Sequence, residues 1–321
     1  MNTWLYILKR ILNSIPILII VSLISFFLIR LSPIDPLAQM KLNPAISQET
    51  IEKETKRLGL DKPVIIQYFL WAKNFIQGNM GYCTDNIKVS SKIKPRILNT
   101  LLLSLSVITL SWIISLIAGV LSAVYYNSWF DKSLIVLTSA GMAIPSFFFA
   151  ILMLLFAQKT GLFPIGGLTS VNFSQMTLFS KIIDILWHIA LPTLVLTTIS
   201  LSSITRQIRA NMLDVLNSEY VKFAYAKGIS KNKVIFKHAL RNAINPIITM
   251  LGFEFAGLLS GAALTEYVFQ YPGLGKLILD AVMQSDINLI MAGLMIGTIM
   301  LIIGNLLADI LLKLSDPRIR I

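Results

Sequence analysis

Long apolar runs separated by polar loops dominate the chain. Six of these runs are long enough to cross a bilayer, which takes roughly 20 apolar residues at a rise of about 1.5 Å each. They cover about residues 11–31, 99–124, 133–157, 186–204, 246–268 and 288–312. The third and fifth runs are interrupted by polar or small residues. The pattern predicts an all-α integral membrane protein with about six transmembrane helices.

Composition agrees with a bilayer environment. Hydrophobic residues make up 55% of the chain and charged residues only 14%, with a mean hydropathy of +0.73, whereas soluble domains carry about 25% charged residues. The net charge of +12 does not indicate nucleic-acid binding, because the basic residues lie in the loops between apolar runs. The run up to Leu31 lacks a small-residue cleavage site, so we expect a retained helix rather than a removed signal peptide.

The distribution of basic residues predicts that both termini are cytoplasmic. With the termini inside, the inner loops and ends carry 14 Lys and Arg residues, and the short outer loops carry 3. The long loop 32–97 carries ten more, but the positive-inside rule applies to loops shorter than about 60 residues. We therefore expect three regions: an N-terminal transmembrane helix (1–31), an extracytoplasmic loop subdomain (32–97) and a five-helix permease core (98–321).

The loop 32–97 contains signals for two helices. Residues 47–58 begin with a capping serine and an acidic first turn and end before Gly59, which is typical of a short helix. Between Pro63 and Ile76, apolar residues recur at spacings of three and four, which predicts an amphipathic helix. We expect a packed cap over the outer mouth, with Tyr68 and Trp71 near the membrane interface.

The segment 205–245, between the fourth and fifth runs, is too basic to cross the membrane and too regular to be a linker. Leu213, Leu216, Tyr220 and Ala224 form a helical stripe, and Gly228 is a typical helix terminator. Ser230 begins a second amphipathic pattern that ends near Pro246. The pattern indicates two short helices on the cytoplasmic side, either docking to a partner or lying on the bilayer surface.

Candidate catalytic and metal-binding residues are sparse. The sequence contains no His-Glu-x-x-His motif, no Gly-x-Ser-x-Gly motif and no metal-spaced Cys/His cluster, and it has one cysteine, Cys83. No recognised motif would bind ATP. The one carboxyl in the middle of a predicted transmembrane helix is Glu254, where a charge costs about 2.5–3.5 kcal/mol on insertion scales. Glu254 is therefore a candidate translocation-path residue, with burial against a neighbouring helix or a partner subunit as the alternative.

Four spaced motifs resemble those of a known transporter family. They are residues 219–228 (EYVKFAYAKG) with 238–243 (HALRNA) and Pro246, residues 32–36 (SPIDP), residues 266–275 (EYVFQYPGLG), and residues 316–320 (DPRIR). The first resembles the "EAA" signature of permease subunits of binding-protein-dependent ABC importers, in the dipeptide, oligopeptide and nickel branch. The motifs occur in order, so the resemblance runs from end to end.

The resemblance implies a role in a larger complex. The helix around 219–228 would sit in a groove of a cytoplasmic ATPase, where small residues permit close approach and Glu219 and Lys227 can pair across the interface. The coupling residues that it implies are Glu219, Tyr220, Ala224, Ala226, Lys227 and Gly228. The implied partners are a second homologous permease subunit, two cytoplasmic ATPase subunits and an extracytoplasmic substrate-binding protein. The chain itself would carry no catalytic residue and no cofactor.

The resemblance predicts a multi-pass protein of a bacterial or archaeal plasma (inner) membrane that imports peptides or a related small solute. Import of nickel or a metal chelate shares the same motifs and stays open as an alternative. An ion-coupled secondary transporter would need midplane charges, and only Glu254 qualifies. Two positions depart from the family pattern: Ile34 replaces a usual glycine, and Glu254 stands where a neutral glutamine is frequent.

Overall fold

Helices account for nearly all regular structure of the protein. The computed structural model describes residues 3–31, 37, 40–41, 46–57 and 59–315, and within these ranges it contains no β-strand, only an isolated bridge between Tyr82 and Lys88. The helices are α1 (Thr3–Leu31), α2 (Gln48–Arg57), α3 (Val64–Ile76), α4 (Val89–Val124), α5 (Trp129–Ala143), α6 (Ser146–Thr160), α7 (Leu178–Leu216), α8 (Glu219–Ala226), α9 (Asn245–Val268), α10 (Leu274–Met283) and α11 (Ile287–Ser315). The motifs 32–36 and 316–320 lie outside the described residues.

The long helices follow the predicted transmembrane runs. Four helices in the described ranges are long and apolar enough to cross a membrane, namely α1, α4, α7 and α11. Helix α9 coincides with the fifth run, 246–268. Two helices extend well beyond the predicted limits, because α4 has 36 residues and α7 has 39. At 1.5 Å per residue, α7 is about 58 Å long, almost twice the thickness of the hydrocarbon core.

The third predicted run, 133–157, is not one straight helix. It consists of α5 and α6, which meet at an angle of 99°. The break lies at Ile144, whose φ of −88° and ψ of 120° are extended, followed by Pro145. Proline disfavours helical conformation at the residue before it and cannot donate to the preceding turn. The pair is therefore a broken transmembrane helix or a re-entrant element, and it could add a fifth crossing to the four.

The chain divides into two compact units. The core unit consists of Thr100–Pro272 and the chain from Ile303 onward. Its helices pack closely where glycine faces a neighbouring helix: a Cβ at Gly119 would lie 2.8 Å from Ile208, and one at Gly141 would lie within 3.4 Å of Thr198. Small residues at these positions let α4 and α5 approach α7, which is a usual way to pack transmembrane helices.

The loop unit consists of the chain up to Asn99 together with Gly273–Ile302. Here the predicted helices at 47–58 and 63–76 are confirmed as α2 and α3. Ser47 accepts a hydrogen bond from the Thr50 amide, and Gly59 has the left-handed φ of +65° that ends α2. Tyr68 of α3 packs on Phe26 of α1 and hydrogen-bonds Ser22 at 2.8 Å.

The turn before α4 is bound to the start of α11 within the loop unit. The Asp286 carboxylate caps α11 by accepting a hydrogen bond from the Leu289 amide at 3.0 Å. It also accepts one from the Thr84 amide at 3.0 Å. Asn288 donates to the carbonyl of Tyr82 at 2.9 Å. Cys83 is enclosed by this arrangement and is 4% exposed. Its burial and the adjacent carboxylate of Asp286 raise the pKa of the Cys83 thiol to about 12.

Candidate functional site

The segment after α7 forms a short, well-terminated helix. Helix α7 ends at Leu216, Ser218 starts the next turn, and α8 spans Glu219–Ala226. At the C-terminal end of α8, the Gly228 amide donates to the Tyr225 carbonyl and the Ile229 amide to the Ala224 carbonyl. This pair of bonds, with Gly228 at φ +76°, is a Schellman motif, so the predicted helix termination at Gly228 is confirmed.

One face of α8 is buried against the rest of the loop. Val221 and Ala224 form a small cluster with Val234, and Ile229 packs against it. Ala224 is only 7% exposed. Phe223 is exposed on the opposite face, and Tyr220 and Tyr225 are exposed on either side of the buried residues. The helix is therefore anchored through small apolar residues and presents aromatic rings outward.

The charged residues of α8 interact with their own helix. Glu219 pairs with Lys222 at 2.8 Å, not with Lys227. The Lys227 ammonium lies 4.6 Å from the centre of the Phe223 ring, within cation–π distance. Tyr220 receives a hydrogen bond from Asn242 at 3.0 Å, which ties the exposed face of α8 to the following helical segment.

The following segment, 231–243, is helical with a π-helical middle at Val234–Ala239. Its predicted start at Ser230 is confirmed, although the Ser230 side chain makes no capping hydrogen bond. The π-helical register widens the turn opposite α8, and such insertions frequently occur at functional sites. Val234 and Ala239 are fully buried, which places the irregular turn against α8 and α7.

A buried ion pair ties three helices of the core unit together. Arg209 of α7 donates to both carboxylate oxygens of Asp131 in the first turn of α5, at 2.6 and 2.8 Å. Asp131 also accepts hydrogen bonds from Ser122 of α4 and from the Asn127 amide. With 1% exposure, this carboxylate has every oxygen occupied. Such bidentate geometry is the strongest form of side-chain pairing.

Glu254 lies near the middle of α9 and is partly buried. Its carboxyl lies near the Ser200 side chain of α7. The second carboxyl oxygen, Oε2, is buried and has no hydrogen-bond partner. A carboxyl in this state costs free energy unless another group supplies the missing donor.

A cleft of about 870 Å³ opens between α4, α5 and α7 in the core unit. Most of its lining is apolar, and Thr193 and Thr197 are among the lining residues. Their hydroxyl oxygens are buried and have no hydrogen-bond partner among the described residues. The cleft therefore presents a mostly apolar surface.

Comparison with protein families identifies the chain. Residues 115–321 match the family described as binding-protein-dependent transport system inner membrane component, and residues 3–112 match its N-terminal region. The chain belongs to this family. It is a multi-pass inner-membrane permease subunit of an ABC importer, and it works with a substrate-binding protein and ATPase subunits.

Individual relatives align with the permease over almost their whole length. It is 41% identical over 317 residues to the oligopeptide transport system permease protein AppB of Bacillus subtilis (strain 168), with 98% of each chain covered. It is 36% identical over 330 residues to the di/tripeptide transport system permease protein DppB of Pseudomonas aeruginosa (strain UCBPP-PA14), again with 98% of each covered. The glutathione transport system permease protein GsiC of Escherichia coli O6:H1 is 33% identical over 317 residues, with 98% coverage of both.

The structure brings the predicted coupling residues of the permease onto one loop but does not place all of them on its surface. Tyr220, Ala226 and Lys227 are exposed, whereas Ala224 packs inward. The expected stripe through Leu216 and Tyr220 is wrong, because α7 ends between them and Tyr220 faces outward. The Asp131–Arg209 pair was not predicted, and the only sequence signal for it is a pair of opposite charges beside apolar runs.

Proposed function

We propose that this permease forms half of a translocation path for peptides or a related small solute. A second homologous permease subunit completes the path, two ATPase subunits hydrolyse ATP on the cytoplasmic side, and this chain is non-catalytic. The names of its relatives, which specify oligopeptides, di/tripeptides and glutathione, support peptides over nickel.

Cytoplasmic termini belong to the same proposal. They follow from the 14-to-3 distribution of Lys and Arg outside the 32–97 loop. In this orientation, the N-terminal helix (1–31) leads to an extracytoplasmic loop subdomain (32–97), and the permease core (98–321) carries the coupling loop 205–245 on the cytoplasmic side. Docking of the substrate-binding protein on the extracytoplasmic side completes the arrangement.

The coupling proposal rests on the difference between the buried and the exposed faces of α8. Its inner face is fixed by Val221, Ala224 and the Gly228 turn, and its outer face presents Tyr220 and Phe223. Exposed aromatic rings in a cluster are typical hot spots of protein interfaces. Glu219, Ala226 and Lys227 would then line the contact with the ATPase, while Ala224 and Gly228 hold the helix in shape.

Replacing Phe223 by alanine tests this assignment. Phe223 is 61% exposed, so its loss should leave the fold intact and remove an aromatic anchor, typically worth about 2 kcal/mol or more at an interface. We expect the substrate-stimulated ATP hydrolysis of the reconstituted complex and its peptide uptake to fall together. Phe179→Ala is a matched control, because Phe179 is 73% exposed at the other end of α7.

The alternative role of α8, resting on the bilayer surface, predicts another result. In that case Phe223→Ala would weaken binding of the loop to anionic vesicles and leave ATPase co-purification and stimulated hydrolysis unchanged. Equal losses in Phe223→Ala and Phe179→Ala would also contradict the coupling role. Ala224→Glu is a poorer test, because it forces a carboxylate into the buried Val221–Val234 cluster and disturbs the loop itself.

We propose further that Glu254 lines the translocation path. An ionised Glu254 would offer a negative charge to a cationic group such as a peptide amine. Its Oε2, which has no hydrogen-bond partner among the described residues, supports this role, since a purely structural group in a transmembrane helix is usually small or neutral and satisfied.

A further inference from the structure

The loop unit contains a polar cavity of about 420 Å³. It lies between the C-terminal end of α1, α3, the turn around Tyr82 and the first turn of α11. Three basic side chains line it, from Arg30, Lys56 and Lys62, together with the amides of Asn74, Asn79 and Asn288. Among the described residues that line it there is no Asp or Glu, so the cavity has a net positive charge.

The basic groups of this cavity lack partners in the described part of the chain. Arg30 Nε is buried without a hydrogen bond, and the guanidinium carbon lies 5.5 Å from the centre of the Phe26 ring. A buried charged donor without an acceptor costs more than 1 kcal/mol. Elsewhere in this unit a lysine on α2, Lys53, pairs with Glu49 at 2.8 Å, but neither Lys56 nor Lys62 makes such a pair. An anion in the cavity would satisfy these groups.

The surroundings of the cavity are those of a lipid headgroup. Arg30 is the penultimate residue of α1, whose apolar stretch of 25 residues ends at Leu31, so its guanidinium lies at the edge of the hydrocarbon core. Helix α3, with 13 residues, is too short to span. It nevertheless exposes large apolar side chains next to the cavity at Ile66 and Leu70, and Leu70 itself lines the cavity. The basic groups match the phosphate headgroup of a phospholipid, and the exposed apolar helix face next to them matches its acyl chains.

We propose that this cavity binds the phosphate of an anionic phospholipid, whose acyl chains cover the exposed face of α3. The Arg30 guanidinium binds phosphate oxygens through its planar N–H groups, as arginine does in phosphate sites. Lys56 and Lys62 add charge at the rim, and the apolar side is formed by Phe26, Leu70 and Trp71. The bound lipid would fix the end of α1 to α3 and to the start of α11.

The test uses the assembled transporter after removal of lipid in detergent. Its thermal-denaturation midpoint is followed during titration with phosphatidylglycerol, with phosphatidylcholine and with inorganic phosphate, each added alone. We expect phosphatidylglycerol to raise the midpoint, and Arg30→Gln or the double variant Lys56→Gln/Lys62→Gln to raise the half-saturating lipid concentration about tenfold. Lys73→Gln is the matched control, because it removes the same charge from an exposed site on α3 outside the cavity.

Other results would overturn the proposal. Equal stabilisation by phosphatidylcholine would show that the site does not distinguish an anionic headgroup from a zwitterionic one. Equal stabilisation by inorganic phosphate would show that the cavity binds a free anion and not a lipid. A shift in Lys73→Gln as large as in the cavity variants would indicate surface charge only. If the cavity variants bind phosphatidylglycerol normally but lose affinity for the substrate-binding protein, the cavity receives an acidic protein surface instead of a lipid.

Discussion

Removal of the Asp131 charge should destabilise the core unit strongly. In Asp131→Asn, the amide can accept at one oxygen only, so Arg209 keeps one of its two hydrogen bonds and loses its counter-charge. Breaking a buried ion pair by removing one partner costs about 3–5 kcal/mol. Arg209 is 20% exposed, and water reaching the guanidinium places the expected cost near the lower limit, about 3 kcal/mol.

A double-mutant cycle measures whether this cost comes from the pair. Thermal denaturation is followed for Asp131→Asn, Arg209→Met and the double variant in the same detergent. A loss of about 3 kcal/mol corresponds to a fall of roughly 6–12 °C in the midpoint for a domain of this size. The double variant should lose less than the sum of the single variants, by at least about 1.5 kcal/mol, because it leaves no unpaired charge.

The pair Glu219–Lys222 is the matched control for this cycle. It has a similar distance of 2.8 Å, but its side chains are 89% and 60% exposed, so Glu219→Gln should produce no measurable change in the midpoint. Strict additivity of Asp131→Asn and Arg209→Met would refute the reasoning. So would equal effects of Glu219→Gln and Asp131→Asn, since burial would then not determine the cost.

Three further results are expected. Glu254→Gln should reduce uptake of cationic peptides more than uptake of neutral peptides at unchanged protein level, because it keeps the shape but removes the charge. In a Cys83→Ser background, Ile87→Cys should react with an impermeant maleimide in intact cells because Ile87 is 47% exposed, whereas native Cys83 should stay unlabelled between pH 7 and 9, well below its pKa of about 12. Gly166→Ala should lower the denaturation midpoint, since its Cβ would lie 2.6 Å from a backbone carbonyl oxygen, whereas Gly297→Ala meets nothing within 4 Å.

Each of these results has an opposing outcome. Equal transport of all peptides by Glu254→Gln would remove this residue from the path. Labelling of Ile87→Cys only after permeabilisation would reverse the proposed orientation. A Gly166→Ala variant as stable as Gly297→Ala would show that the turn moves away from the carbonyl at little cost.

Local signals were sufficient for much of the fold. The apolar runs predicted the long helices, and Ser47 and Gly59 marked α2 because a capping hydroxyl and a left-handed residue act within one turn. The bend between α5 and α6 also had a local signal in Pro145, although the run of apolar residues around it suggested one helix. Such features depend on neighbouring residues in the sequence.

The remaining features depend on partners that are distant in the sequence. Ala224 faces inward because Val234, on the next helical segment, covers it. The Asp131–Arg209 pair joins residues 78 positions apart, and one sequence offers no means of matching them. The Arg30 cavity combines α1 with α3 and α11 in the same way. Sequence therefore indicated a candidate functional loop, but not which of its side chains are available to a partner.

Helix α7 has the dimensions of a lever arm. It runs without interruption from its apolar part to Leu216, two residues before α8, and contains Pro192 near its middle. Because proline removes one backbone hydrogen bond, bending is easiest there. From Pro192 to Leu216 the arm is about 36 Å long, so a rotation of about 10° would displace its end by roughly 6 Å, about one helical turn. With the ATPase docked on α8 as proposed above, a displacement of α8 would accompany a small change of angle at Pro192.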